Sequence, residues 1–131
     1  MSAAGSFTEK GPPRRVSIVD DDAPVREALK NLMRSARFDV EAFASAEEFL
    51  ASERLGNTQC LILDLSLPGM TGFDLQEQLN AERRNIPIIF ITAHADEVSR
   101  RRAMQGGAID LLGKPVRRDA LFKAIQSAIQ S

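Results

Sequence analysis

Short apolar runs recur along the chain, and four of them are followed at once by residues able to do chemistry. Val16-Ser17-Ile18-Val19 leads into Asp20-Asp21-Asp22, and Cys60-Leu61-Ile62-Leu63 into Asp64. Ile88-Ile89-Phe90-Ile91 leads into Thr92, and Ile109-Asp110-Leu111-Leu112 into Gly113-Lys114-Pro115. Runs of this length, apolar throughout, suit strands buried on both faces of a parallel sheet. A further strand at 38–43 alternates instead: Phe38, Val40 and Ala42 against Asp39 and Glu41, the pattern of an edge strand with one wet face.

The stretches between the runs have helical spacing. Val25, Leu29, Leu32, Met33 and Ala36 lie on one face, with Asp22 placed to cap the helix and Pro24 suited to its first turn. Ser45 and Glu48 have the spacing of a capping box before Phe49 and Leu50. Leu67-Pro68-Gly69-Met70 reads as a loop, followed by a helix with Phe73, Leu75 and Leu79. A helix over 97–105 stops at Gly106-Gly107. The last helix, 119–130, turns Leu121, Phe122, Ile125, Ala128 and Ile129 inward. Five β-α units with right-handed crossovers predict an α/β fold with helices on both faces of a parallel sheet.

A length of 131 residues suits one domain. Residues 1–14, broken by Gly5, Gly11, Pro12 and Pro13, read as a flexible tail, leaving 15–131 as the domain. No sequence for a second domain follows the last helix, so no output domain is expected. Net charge is -1, which gives no general basic surface for nucleic acid. The single cysteine, Cys60, cannot form an internal disulfide, and no secretory leader is apparent, which fits a cytoplasmic location. No apolar run nears the ~20 residues of a membrane span.

In an open parallel sheet, ligand groups gather outside the carboxyl ends of the strands. Asp20, Asp21, Asp64, Thr92 and Lys114 would then share one crevice. Two carboxylates ~4 Å apart repel by about 4 kcal/mol at an effective dielectric of 20, and a divalent cation relieves this. Magnesium takes hard oxygen ligands and commonly binds one or two carboxylates together with phosphate. Taken singly, each residue also has a plainer reading. Asp22 is best read as a helix cap, Asp20 and Asp21 could share that work, and Asp64 could be a turn aspartate. A carboxylate such as Asp64 can also attack phosphorus to give an aspartyl phosphate. Lys114 offers a point charge for phosphate, and Thr92 a hydroxyl donor.

Together these segments resemble the response-regulator receiver domain of two-component signalling, over about 15–131. The resemblance rests on 16–22, on Leu61 to Gly72 (LILDLSLPGMTG), on Ile89-Phe90-Ile91-Thr92-Ala93-His94 and on Gly113-Lys114-Pro115. Ser45-Ala46-Glu47-Glu48-Phe49-Leu50 and the Thr-Ala-His stretch have the look of FixJ-like receivers. The resemblance implies a flavodoxin-like (βα)5 fold with strand order 2-1-3-4-5. It implies that Asp64 accepts a phosphoryl group from phosphohistidine on a sensor kinase or phosphotransfer protein. Asp21, Asp64 and the Ser66 backbone carbonyl would ligate Mg2+, with Asp20 acting through water. Lys114 and Thr92 would bind phosphoryl oxygens, and Lys114-Pro115 would be a cis peptide. Such a domain is a phosphoacceptor with slow self-catalysed chemistry rather than an enzyme.

Three features depart from the family or stay open. The position three before the lysine, usually aromatic, is Leu111, so movement of Thr92 is expected to be read out differently or more weakly at the face of the fourth helix, fifth strand and fifth helix. After the proline stands Val116, also not aromatic. Ser66 and His94, two residues beyond Asp64 and Thr92, occupy positions that tune phosphoryl lifetime in receivers, although His94 could be an ordinary surface residue. Arg100-Arg101-Arg102 reads either as a solvated face or as a docking surface for an acidic partner. The output partner is not named by the sequence, and weak dimerisation is compatible with it. Other roles are a phosphate sink or shuttle, an unphosphorylated interaction module, or the receiver portion of a longer FixJ-like transcription regulator. A magnesium-dependent phosphatase with an aspartyl nucleophile fits poorly, because it needs a second acid where Ser66 stands.

Overall fold

The computed structural model describes residues 12–130. Of the expected tail, residues 1–11 lie outside the described residues. The Arg14 carbonyl accepts from the Asp39 N–H at 2.9 Å, directly before the first strand. Five strands, β1 (Arg15–Val19), β2 (Asp39–Phe43), β3 (Cys60–Asp64), β4 (Ile88–Thr92) and β5 (Asp110–Gly113), form one parallel sheet in the order β2-β1-β3-β4-β5. Five α-helices connect and close it: α1 (Ala23–Ser35), α2 (Ala46–Leu50), α3 (Gly72–Ala81), α4 (Glu97–Gln105) and α5 (Arg118–Gln130). A 3-10 turn, Glu53–Gly56, follows α2. This is the doubly wound flavodoxin-like fold with the expected strand order.

The two-residue period of the central strands divides the core. Ile18, Cys60, Ile62, Ile89 and Ile91 face α1 and α5, packing on Leu29, Met33, Leu121 and Ile125. Val19, Leu61, Leu63 and Phe90 face α2, α3 and α4, packing on Phe49, Leu75 and Leu79. Each side chain fully removed from water in this way contributes roughly 1.5–3 kcal/mol. The Cys60 thiol is part of this interior, and burial pushes its pKa up to about 12. Phe122 and Ile129 are only partly buried, and Ala124 takes an inward position instead.

Helix α4 is held differently. Ala103 is its only buried residue, while Val98 and Met104 are 73% and 45% exposed. Polar contacts fasten both its edges. On the α3 side, the buried Gln76 Nε2 donates to the Ala103 carbonyl (3.1 Å) and Asn80 Nδ2 to that of Gly106 (3.0 Å). A Cβ at Gly106 would meet the Gln76 amide at 2.5 Å, so a larger residue there would displace the side chain that holds α4. Arg102 lies 4.2 Å over the Phe73 ring and donates to Glu77 at 3.2 Å. On the β5 side, Arg100 donates to the Leu111 carbonyl (2.7 Å) and to Asp110 (3.0 Å). Two arginines of the basic run are therefore internal fasteners, which neither sequence reading supplied.

Three further buried polar residues, Arg54, Ser17 and Thr58, lie away from the carboxyl ends of the strands. Arg54 donates to the Val16 and Asp39 carbonyls (3.2 and 2.6 Å), and Ser17 and Thr58 share a 2.6 Å hydrogen bond. Helix starts follow the expected chemistry with one correction. Asp22 Oδ1 accepts from Val25 N–H, and Ser45 Oγ from Glu48 N–H, but Glu48 Oε1 accepts from Ala44 N–H rather than closing a box on Ser45. The complete capping box is Thr71 with Asp74, at the head of α3.

Asp74 and the α4 cap Asp96 accept backbone N–H bonds, from Thr71 and Ser99 respectively, and these hold both carboxyls below the ordinary range. A depressed folded pKa stabilises at pH above the unfolded value, about 3.9, and that contribution is lost as pH falls through the lowered folded values. Acid titration followed by amide NMR is expected to loosen the first turns of α3 and α4 before the central strands. Simultaneous loss of both would contradict the caps.

Candidate functional site

The parallel register brings the polar strand ends together. Val19 pairs with Leu63, Asp64 with Ile91 and Thr92 with Gly113, so Asp20, Asp64, Thr92 and Lys114 leave four neighbouring strands at one end of the sheet. Asp64 and Thr92 are the last residues of β3 and β4, because the hydrogen-bond ladder continues one residue past each apolar run. β5 is displaced by one from its apolar run for the same reason. It starts at Asp110 and takes in Gly113, the register partner of Thr92.

Asp20, Asp21 and Asp64 each offer a carboxylate oxygen, and these lie within 4.8 Å of one another. Asp20 is fully buried, Asp64 nearly so, and Asp21 exposed. Asp20 Oδ1 accepts from the Asp22 N–H at 2.9 Å. Its Oδ2 is paired with the Lys114 ammonium, 3.0 Å away. The same ammonium reaches Asp64 Oδ2 at 3.4 Å. Asp64 Oδ1 accepts from the Ser66 N–H at 3.2 Å. Arg26, on α1, donates to the Asp20 carbonyl at 2.7 Å.

These contacts set the electrostatics. Burial pushes the Asp64 carboxyl up, and the Asp20 charge adds to that rise. The Ser66 N–H and Lys114 pull it back without cancelling it. Burial would lower the Lys114 ammonium, but its bonds to Asp20 and Asp64 and their charges outweigh this and hold it above the ordinary range. A buried pair of carboxylates sharing one ammonium is short of positive charge. The three convergent oxygens therefore fit a hard divalent cation such as Mg2+.

Thr92 is buried, and its Oγ1 accepts from the His94 N–H at 3.1 Å, leaving the O–H to donate. The Lys114 N–H donates to the Thr92 carbonyl at 2.8 Å, tying the two residues together. Lys114-Pro115 is cis. Ser66 and His94 are exposed. Leu111 is fully buried, opposite Phe90 in the ladder, with its carbonyl bound by Arg100. Contacts that the sequence reading missed are the Lys114–Asp20 pair, the Arg26 bond and Glu47, whose Oε2 accepts from the Met70 N–H at 3.0 Å.

Residues 16–126 match the model of the response regulator receiver domain. The chain belongs to this family. It is a receiver domain of the kind used by response regulators in two-component signalling. The receiver is 44% identical over 126 residues to nodulation protein W of Bradyrhizobium diazoefficiens, a match covering 96% of this chain and 56% of that protein. Among solved structures it superposes on the response regulator StyR with a TM-score of 0.83 at 50% identity, covering 90% of this chain and 60% of that one. It superposes on FixJ-N with a TM-score of 0.81 at 35% identity, covering 92% of this chain and 96% of that one. The receiver spans about half the length of the curated relatives it matches, 51% to 59% of those considered. Receivers bind Mg2+ at this acidic site, and no described helix of this one is long and apolar enough to cross a membrane.

Proposed function

We propose that this receiver accepts a phosphoryl group on Asp64 from phosphohistidine of a sensor kinase or histidine phosphotransfer protein. The observation that carries this reading is the Lys114 ammonium between Asp20 and Asp64, 3.0 and 3.4 Å away, at the carboxyl ends of the central strands. Phosphoryl transfer asks a protein mainly for in-line positioning and charge neutralisation. An Asp64 carboxylate oxygen forms the new bond to phosphorus as the phosphorus–nitrogen bond breaks, and its electron pair leaves with the imidazole. Lys114 takes one phosphoryl oxygen, and the Thr92 O–H donates to another. Asp21, Asp64 and the Ser66 carbonyl would hold Mg2+, with Asp20 assisting through water; the ion, when bound, neutralises charge on the phosphoryl oxygens.

Thr92 then communicates outward. Its movement reaches Lys114 through their backbone bond and reaches β5 through the Gly113 pairing. With Leu111 in place of a ring, the response passes to α4 through Arg100, which holds the Leu111 carbonyl. The output is a protein contact on the α4–β5–α5 face rather than direct nucleic-acid binding, in a cytoplasmic setting. Ser66 and His94, both exposed, set water access and so the lifetime of the aspartyl phosphate.

Incubation with acetyl phosphate and MgCl2 is expected to give a slowly formed, singly phosphorylated protein that hydroxylamine cleaves. Chelation of the metal should stop its formation. Failure to be phosphorylated by any small donor or kinase, with Mg2+ present, would sink the proposal.

A further inference from the structure

We infer that Glu47, on α2, is a positioning residue for the metal side of the site, acting through the β3–α3 loop. The inference rests on the proposed role of the Ser66 carbonyl as a metal ligand. That carbonyl lies in the segment 65–72, which has to keep its shape while a cation approaches.

The segment is secured at both ends by backbone. The Leu65 N–H donates to the Ile91 carbonyl (2.9 Å), and the Gly72 N–H to the Leu65 carbonyl (3.2 Å). Gly72 sits so close that a Cβ would fall 2.6 Å from the Asp64 carbonyl oxygen, so loop and phosphoacceptor strand are in direct contact. Leu67 is anchored in the core. Between Leu67 and Thr71, one hydrogen bond among the described residues ties the loop to a side chain outside β3, the loop and α3: Met70 N–H to Glu47 Oε2, 3.0 Å. Gly69 shapes the chain for this contact. Its φ is +73°, and a Cβ there would stand 2.9 Å from the same Glu47 oxygen. The loop thus turns through a left-handed residue directly against the carboxylate. Glu47 is itself exposed, so its neighbours do not need it to fill the core.

A tether of this kind keeps the ligand carbonyl near its working position before the ion arrives, and preorganisation of that sort appears as affinity. Removal of one hydrogen bond to a charged acceptor corresponds to roughly tenfold in an equilibrium. The test is an MgCl2 titration of the full chain, followed by amide NMR shifts of Asp64 and Ser66, with hydrogen exchange at Met70 measured in parallel. Glu47→Ala is expected to weaken Mg2+ binding about three- to tenfold and to speed Met70 exchange, with only a small fall in the midpoint of thermal unfolding without metal. Glu47→Gln keeps an acceptor oxygen but no charge, and is expected to restore both. Binding by Glu47→Ala equal to wild type overturns the inference, as does a Gln variant as weak as the Ala variant, which would point to charge rather than the tether. A wild-type protein that binds no Mg2+ overturns the reading of the site itself, a result distinct from either.

Discussion

Asp64→Asn is expected to take up no phosphoryl group, a loss of at least about 100-fold against wild type under the same donor and MgCl2. The amide has nearly the shape of the carboxylate, and its oxygen can still accept the Ser66 N–H, so the fold should persist. What disappears is the nucleophilic oxygen and one of the three converging acidic ligands. Mg2+ affinity should fall as well. Metal-free stability should not fall with it, because ionised Asp64 is penalised by burial and by Asp20. Intact-mass spectrometry for the adduct and urea unfolding for stability separate the two effects. Label retained on Asp20 or Asp21 in this variant would show that the phosphoacceptor has been misassigned.

Lys114→Met is the second large effect, and it splits by condition. Methionine retains the apolar stem, which lines a groove with Val25, Leu29 and Pro115, and removes only the charge. Asp20 is fully buried and Asp64 almost so, so both carboxylates lose their shared cation. Breaking a buried pair from one side costs about 3–5 kcal/mol. With the ammonium partly exposed, the lower end is expected, near 3 kcal/mol, or a fall of roughly 10 °C in Tm for a chain of this size. Saturating Mg2+ should recover most of that loss. Phosphorylation should nonetheless remain about 100-fold slow, because a preorganised cation at the phosphoryl oxygens is missing. A variant equally destabilised with and without Mg2+ would place the effect in the fold rather than in the pocket.

The site was legible in the sequence because its residues follow apolar runs long enough to be strands, and a parallel sheet must bring such ends together. The helix stop at Gly106 and the cap at Asp22 were legible for local reasons. The misses share one cause, which is that the partner is distant in sequence. Sequence marks Lys114 only as a phosphoryl ligand, yet it is also the counter-ion of Asp20, 94 positions earlier. Gln76, Arg54 and Arg100 look like surface residues until the carbonyls they bind are in place. Strand ends slipped by a residue because hydropathy marks burial, whereas the ladder follows register. Leu111 marks the absent ring in the sequence, but the arginine on its carbonyl appears only in three dimensions.

Helix α4 gives this division a mechanical meaning. The rest of the domain is a sealed frame, two apolar layers closed on a five-stranded sheet. α4 is a panel on that frame, fastened along one edge by α3 and along the other by Arg100, with one alanine pressed inward. Unfastening one edge opens no void in the frame. The outer surface can therefore be redrawn while the layers beneath stay shut.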